Sequence, residues 1–171
     1  MALRQIVTIP ESVLRRKARK TTNFGPELQT LIDDMVETMR EAPGVGLAAT
    51  QIGESLRVIV VEFGDEENED TPPKLYVVVN PEIARSSSEQ LMGIEGCLSV
   101  PGFAGDVARS NNVTIKAQNR QGRSLRIKAE GWLARIFQHE IDHLNGILFI
   151  DRADRVWQAE GPATQAIPRD V

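Results

Sequence analysis

The chain has 171 residues, of which 41% are hydrophobic, and a formal net charge of -4. This length and composition suit one domain with a buried core and are too small for two comfortable ones. The negative net charge gives no electrostatic reason to expect specific binding to nucleic acid. The single cysteine excludes an intrachain disulfide framework, which suits a reducing compartment.

The amino terminus has neither a basic start followed by a long apolar run nor a small-residue cleavage site, so we expect no secretory leader. The longest apolar stretch surrounds residues 58–61. It falls far short of the roughly 20 apolar residues that a membrane span requires. We therefore expect a soluble, cytoplasmic protein that does not act at a membrane.

In chain order, the predicted elements begin with a short helix at residues 10–16 and a longer helix at residues 26–42. Apolar residues follow helical spacing in the longer helix: Leu28, Leu31, Ile32, Met35 and Met39. Residues 56–63 and 75–80 are rich in valine and isoleucine and predict strands. We interpret the acidic segment between them, residues 64–73, as a solvated loop.

A glycine-rich stretch at residues 44–51 follows the long helix. It lacks the lysine and the serine or threonine of a phosphate loop, so we interpret it as a tight turn that brings backbone close to a ligand. Residues 81–88 predict another strand, and residues 113–117 and 124–129 predict a hairpin. The tail at residues 151–171 has no apolar periodicity, and we predict that it is irregular.

The most informative stretch is residues 138–144, Gln-His-Glu-Ile-Asp-His-Leu, within an apolar helical run. His139 and His143 are one helical turn apart, so both imidazoles can reach one cation. They are the only two histidines of the chain. Glu140 falls within the apolar arc, where a carboxylate is costly unless something pairs with it, whereas Asp142 is expected on the opposite side. The alternative is a helix with two core histidines and a salt-bridged glutamate.

Two imidazoles need a third protein ligand if a catalytic metal is to keep one position open for water. The longer zinc-protease motif would place a third histidine where this chain has Phe149, and Glu160 lies in a tail with no clear helix. Cys97 is the remaining soft ligand, and Gly96 beside it allows the backbone to bend around an ion. The alternative for Cys97 is a small buried hydrophobe.

Three motifs together resemble those of the peptide deformylase family, in the family's order and spacing. They are residues 44–51 (Gly-Val-Gly-Leu-Ala-Ala-Thr-Gln), residues 95–99 (Glu-Gly-Cys-Leu-Ser) and residues 138–144. The resemblance extends over roughly residues 5–150 and implies one catalytic domain at residues 1–150. The expected fold is α+β, with mixed, mainly antiparallel sheets wrapped around a central metal-binding helix, and the non-alternating order of elements favours the same class.

The resemblance implies a metal-dependent hydrolase that removes the N-formyl group from the initiator methionine of new polypeptides and releases formate. Cys97, His139 and His143 would hold a divalent metal, which lowers the pKa of a water molecule to near neutrality. Glu140 would take a proton from that water and pass it to the leaving amine. The family favours Fe²⁺, and Zn²⁺, Ni²⁺ or Co²⁺ also suit these donors.

The resemblance also assigns residues that contact the substrate. The oxyanion would accept hydrogen bonds from the backbone N–H of Leu98 and the side-chain amide of Gln51. The remaining candidates are an apolar methionine pocket of Val45, Trp132 and Ile136, Gly46 beside it, and Arg109, which either holds the substrate backbone or lies at the surface. The expected partners are N-formylmethionyl peptides and nascent chains. Some family members dock on the ribosome through a long C-terminal helix. Because we predict an irregular tail here, a transient contact of that kind is less favoured for this chain.

Two other classes of protein stay open. A zinc endopeptidase would share the helix motif but would use a histidine or glutamate as third ligand and leave Cys97 without a role. A structural metal module would have four protein ligands and no open position, which would require Glu140 or another carboxylate to coordinate.

Overall fold

Two sheets and a central helix make up the part of the chain that the computed structural model describes, residues 2–64 and 70–159. The strands are β1 (Gly46–Ala48), β2 (Val58–Phe63), β3 (Lys74–Ser86), β4 (Gln90–Cys97), β5 (Val100–Ser110), β6 (Asn112–Gln118), β7 (Ser124–Glu130) and β8 (Arg155–Gln158). The helices are α1 (Pro26–Glu41), α2 (Gly131–Leu144) and α3 (Phe149–Arg152), with 3-10 turns at Ser12–Arg15 and Ala49–Ile52. None of these helices is long and apolar enough to cross a membrane.

The strands form a five-stranded sheet, β1-β2-β3-β6-β7, and a three-stranded sheet, β4-β5-β8. All strand pairings within both sheets are antiparallel. The five-stranded sheet lies between α1 and α2. Val58 and Val60 of β2 pack in the cluster that contains α1, whereas Ile59 and Val61 pack in the cluster that contains α2. Burial on both faces explains why the sequence of β2 is continuously apolar.

Helix α2 is covered on two sides. Its apolar residues, among them Ile136, Phe137 and Ile141, pack against the five-stranded sheet. Its opposite side carries polar residues at helical spacing that contact the three-stranded sheet: Arg135, Gln138, His139 and Asp142. Mixed antiparallel sheets around a central helix confirm the predicted α+β class. Asp142 lies opposite the apolar arc as expected, but that side of α2 is covered by β5 and leaves Asp142 only 8% exposed.

Strand β3 is one continuous element where the sequence predicts two strands, at residues 75–80 and 81–88. Its pairing with β6 shifts register between Val79 and Glu82. Pro81 lies in this irregularity, where its missing N–H does not interrupt a regular ladder. Asn80 has a positive φ of 53° and anchors the bend by donating to the carbonyl oxygen of Thr21 at 2.8 Å.

Several other elements differ from the sequence prediction, among them β4, which was not predicted. The stretch at residues 44–51 contains an edge strand and a 3-10 turn rather than a single tight turn. Strand β5 was not predicted, because its proline and glycines suggest a loop. The tail that we predicted as irregular from residue 151 contributes the end of α3 and then β8, which pairs with β5. Residues 65–69 of the acidic loop and residues 160–171 of the tail lie outside the described part of the chain.

Candidate metal centre

Three candidate ligand side chains come together between α2 and the end of β4. His139 and His143 lie one turn apart on α2, and Cys97 is the last residue of β4. One donor atom from each residue lies within 4.8 Å of the others, and all three side chains are buried. The Cys97 Sγ and the His143 Nε2 are 3.4 Å apart. The fold therefore assembles the two distant motifs into one cluster.

The two nitrogens of the His139 ring have different surroundings. Nδ1 lies 2.8 Å from the Glu95 Oε1, a distance at which it donates a hydrogen bond to that carboxylate. Nε2 is buried and has no hydrogen-bond partner among the described residues. A buried polar atom without a partner is costly unless something binds it. A thiol and two imidazoles are also donors that transition metals accept, so the residues fit a metal ion.

The pKa values of the two imidazoles are shifted in opposite directions. Burial lowers the pKa of His139, but its interactions with Cys97 and Glu95 outweigh burial and raise the pKa above its ordinary value. Burial and the neighbouring His139 lower the pKa of His143. Because a metal ion binds the neutral imidazole, an ion at this cluster would compete with the proton for His139.

Glu95 is a functional candidate whose role cannot be recognised from its motif alone. Its side chain is fully buried and accepts hydrogen bonds from His139, from Arg109 at 2.9 Å and from Arg135 at 2.7 Å. Burial would raise the pKa of Glu95, but the hydrogen bonds from His139 and Arg109 outweigh it and keep the carboxylate ionised. A carboxylate in this position fixes the orientation of a ligand imidazole. Its place two residues before Cys97 on a strand was the available signal, because that spacing directs both side chains to one face.

The structure corrects the interpretation of Arg109 as a surface residue. Its side chain is 4% exposed, so it is not at the surface. Its guanidinium donates to Glu95 and, at 2.6 Å, to Asp142. Asp142 also accepts two hydrogen bonds from Arg152 of α3. The Nε, Nη1 and Nη2 of Arg109 each donate to a carboxylate inside the protein, which favours a structural role over contact with a substrate backbone.

The carboxamide of Gln51 is fully buried and directed towards the cluster. Its oxygen accepts from the backbone N–H of Ala48 at 3.0 Å, which fixes the amide group. Its nitrogen lies 3.6 Å from the Cys97 Sγ and 3.2 Å from the Ser99 Oγ. Leu98 lies in the two-residue turn between β4 and β5, directly after Cys97. Both predicted oxyanion donors are therefore beside the candidate ligands.

Glu140 is 1% exposed and packs against the backbone of β1. The Cα of Gly46 is so close that an added Cβ would lie 2.6 Å from the Glu140 Oε2. Within the described residues, the group of donors that can share one ion contains Cys97, His139 and His143 but not Glu140. This arrangement favours a role for Glu140 beside the metal rather than as a ligand.

Gly46→Ala is expected to displace the Glu140 carboxylate, because the new methyl group would overlap with it. Given the role of general base that the family resemblance implies for Glu140, turnover should fall by roughly 10- to 100-fold. Bound metal should remain, since no donor is changed. Gly64→Ala is the matched control, because its Cβ would meet nothing closer than 3.7 Å. Turnover numbers and metal content of the two purified variants check this, and a Gly46→Ala variant with unchanged turnover would contradict it.

The candidates for the methionine pocket differ in the residues that they contact. Val45 and Ile136 belong to the same apolar cluster on α2. Trp132 is partly buried, and the guanidinium of Arg135 lies 5.2 Å from the centre of its ring. Phe149, at the position where a zinc protease would have its third histidine, lies with its ring 6.3 Å from that of His139 and nearly parallel to it. It therefore adds an apolar wall to the cluster rather than a ligand.

An α+β domain with a buried thiol, two imidazoles and an adjacent carboxylate defines the class of mononuclear metallohydrolases. A profile of the polypeptide deformylase family matches residues 3–158. Peptide deformylase from Natranaerobius thermophilus is 51% identical over 160 residues, which cover 94% of this chain and 98% of the relative.

Solved structures agree with the sequence comparison. The crystal structure of peptide deformylase from Thermotoga maritima has a TM-score of 0.84 at 39% identity, covering 91% of this chain and 100% of the other. A peptide deformylase from Acinetobacter baumannii, solved with Met-Ala-Ser bound, has a TM-score of 0.81 at 40% identity, covering 88% and 98%. The chain belongs to the peptide deformylase family, whose members are metal-dependent hydrolases that remove N-formyl groups from nascent polypeptides.

Proposed function

We propose that this chain deformylates N-formylmethionyl peptides with Cys97, His139 and His143 as metal ligands and Glu140 as general base. The observation that carries the proposal is the buried three-donor cluster in which the His139 Nε2 has no partner among the described residues. Three protein donors leave one coordination position for water or substrate, which is the pattern of catalytic rather than structural sites.

The physiological ion that we propose is Fe²⁺, with Zn²⁺, Ni²⁺ or Co²⁺ able to replace it. One sulfur and two nitrogen donors accept all four, so availability in the cell decides between them. When bound, the ion supplies Lewis acidity, which makes a water molecule nucleophilic near neutral pH and polarises the formyl oxygen. Glu95 holds the His139 ring in the tautomer that presents Nε2 to the cluster.

In the reaction that we propose, Glu140 moves the proton. Its carboxylate accepts a proton as water adds to the formyl carbon. It then delivers this proton to the methionine nitrogen as the bond between that nitrogen and the formyl carbon breaks. The products are formate and a free amino terminus. The amide of Gln51 and the backbone N–H of Leu98 donate to the oxygen that becomes negative during addition. Burial of Glu140 and Gln51 keeps these interactions out of bulk water, where they would be weaker.

The peptide is proposed to lie between two sheet edges. β1 and β4 are each at an edge of their sheets, and each carries a part of the site: Gly46 packs on Glu140, and Cys97 ends β4. An extended peptide can pair with such an edge through its backbone. The Met-Ala-Ser peptide bound to the Acinetobacter baumannii relative supports a peptide occupant here. Val45, Ile136 and Trp132 remain our candidates for the methionine pocket.

The partners that follow are nascent chains with a formylated amino terminus, and we place the activity in the cytoplasm, where such chains are made. A transient contact with the ribosome stays a prediction, because residues 160–171 lie outside the described part of the chain. We propose neither sequence-specific nucleic-acid binding nor a membrane partner.

The direct test uses formyl-Met-Ala-Ser and the metal-loaded protein, with chelated protein as control. We expect one formate for each free amino terminus, with both peptide bonds intact and no release after chelation. Cleavage of an internal peptide bond would instead indicate the zinc endopeptidase. A failure to release formate with any of the four metals, in protein that retains the ion tightly, would indicate the structural metal module.

A further inference from the structure

Arg135 is a buried, positively charged residue that takes no part in the proposed reaction. It lies on α2 one turn before His139, and its side chain is only 5% exposed. Its Nη1 donates to the Glu95 Oε2 at 2.7 Å and to the carbonyl oxygen of Val107 at 2.8 Å. Its Nη2 donates to the carbonyl oxygen of Leu91 at 2.6 Å. One guanidinium therefore ties α2 to both β4 and β5.

The guanidinium lies directly against the backbone of Gly93, in the middle of β4. A Cβ added to Gly93 would lie 2.7 Å from the Arg135 Cζ and 2.9 Å from both its Nε and its Nη2. Three hydrogen bonds to Glu95, Val107 and Leu91 hold the planar group in place, so it cannot simply move aside. The absence of a side chain at Gly93 thus leaves the space that the Arg135 guanidinium occupies.

The contact between Arg135 and Gly93 joins α2 and β4, the two elements that carry the proposed metal ligands. Glu95, which accepts from Arg135 through Oε2, accepts from the His139 Nδ1 through Oε1. The strand that Arg135 holds at Leu91 and Gly93 ends at Cys97. A contribution to the stability of the fold does not by itself explain why a buried arginine occupies this position. Buried ion pairs are often no more stabilising than apolar packing of the same volume.

We propose that Arg135, seated on Gly93, is a positioning residue for deformylation: it fixes β4 against α2 and so holds Cys97 and His139 where both reach one ion. This inference rests on the ligand set proposed above. Arg135 acts through Glu95 and the backbone of β4 and does not touch the substrate.

Arg135→Lys keeps the charge but cannot reproduce the planar fork. Its matched control is Arg57→Lys, because Arg57 anchors the opposite end of α2 by donating to the carbonyl oxygen of Leu144 at 2.9 Å and to the Asn145 Oδ1 at 3.0 Å. We expect Arg135→Lys to lower Co²⁺ affinity or kcat by roughly 10- to 100-fold, the range for residues that orient metal ligands. The visible absorption of the Co²⁺ protein should change as well. Arg57→Lys should lower Tm but leave cobalt affinity, absorption spectrum and kcat as in the wild type.

Gly93→Ala provides a second test that removes no charge. The methyl group should push the guanidinium off its acceptors and change the Co²⁺ spectrum in the same way as Arg135→Lys. In an Arg135→Ala background the same methyl group should add little, because nothing remains for it to displace. Wild-type cobalt affinity and spectrum in both Arg135→Lys and Gly93→Ala would overturn the positioning role. A wild-type protein that binds no cobalt would instead overturn the ligand set itself.

Discussion

Glu140→Gln is expected to lower turnover at least about 100-fold, the lower end of the range for general acid–base catalysis, while the metal stays bound. Glutamine keeps the size and hydrogen-bonding capacity of the side chain but cannot accept a proton at neutral pH. Helix α2 and both histidines are unchanged. Because the lost interaction acts in the transition state, kcat should fall with little change in substrate affinity. Steady-state kinetics and metal analysis of the same preparation measure both quantities.

The matched control is Glu130→Gln, which makes the same change of charge at the exposed residue that precedes α2. Its turnover should equal that of the wild type. Glu140→Asp should be at least partly impaired, because its shorter side chain draws the carboxylate back. Loss of metal from Glu140→Gln would make Glu140 a ligand, and near-normal turnover would make it a structural carboxylate.

Removal of any one proposed ligand, as Cys97→Ala, His139→Ala or His143→Ala, is expected to abolish most metal binding and activity together. Each variant takes away one of only three protein donors. Residues that merely orient ligands cost roughly 10- to 100-fold in affinity or activity, and the loss of a ligand should exceed that range. Metal content after dialysis and formate release are the measurements.

Val100→Ala is the control for Cys97→Ala, because Val100 belongs to the same buried cluster and supplies no donor atom. Its free energy of unfolding should fall, since a cavity is left behind, but the metal should remain. If Cys97→Ala kept its metal and its rate, the third ligand would have to be another residue.

The parts of the site that could be predicted from sequence depend on short-range geometry. His139 and His143 are four residues apart on a helix, so their common direction follows from the helical turn alone. The period-3.6 pattern likewise predicted α1 almost to its ends, residues 26–42 against Pro26–Glu41. Such local regularities do not depend on what the element packs against.

The three-stranded sheet could not be predicted in this way. β5 contains Pro101, Gly102 and Gly105, which suggest a loop, and it forms a strand because β4 and β8 pair with it. Without this sheet, nothing in the apolar pattern of α2 shows that its second side is also covered. The burial of Asp142 and Arg109 could not be predicted for the same reason, because it depends on long-range packing.

The ligand set can be tested most directly by X-ray absorption at the metal edge of the zinc-loaded protein. Coordination by Cys97, His139 and His143 should give one sulfur scatterer at about 2.3 Å and two imidazole nitrogens at about 2.0 to 2.1 Å, with a further light atom in the open position. Cys97→Ala should lose the sulfur signal if any zinc stays bound. A first shell without sulfur, or with a fourth protein donor in place of the light atom, would contradict this ligand set.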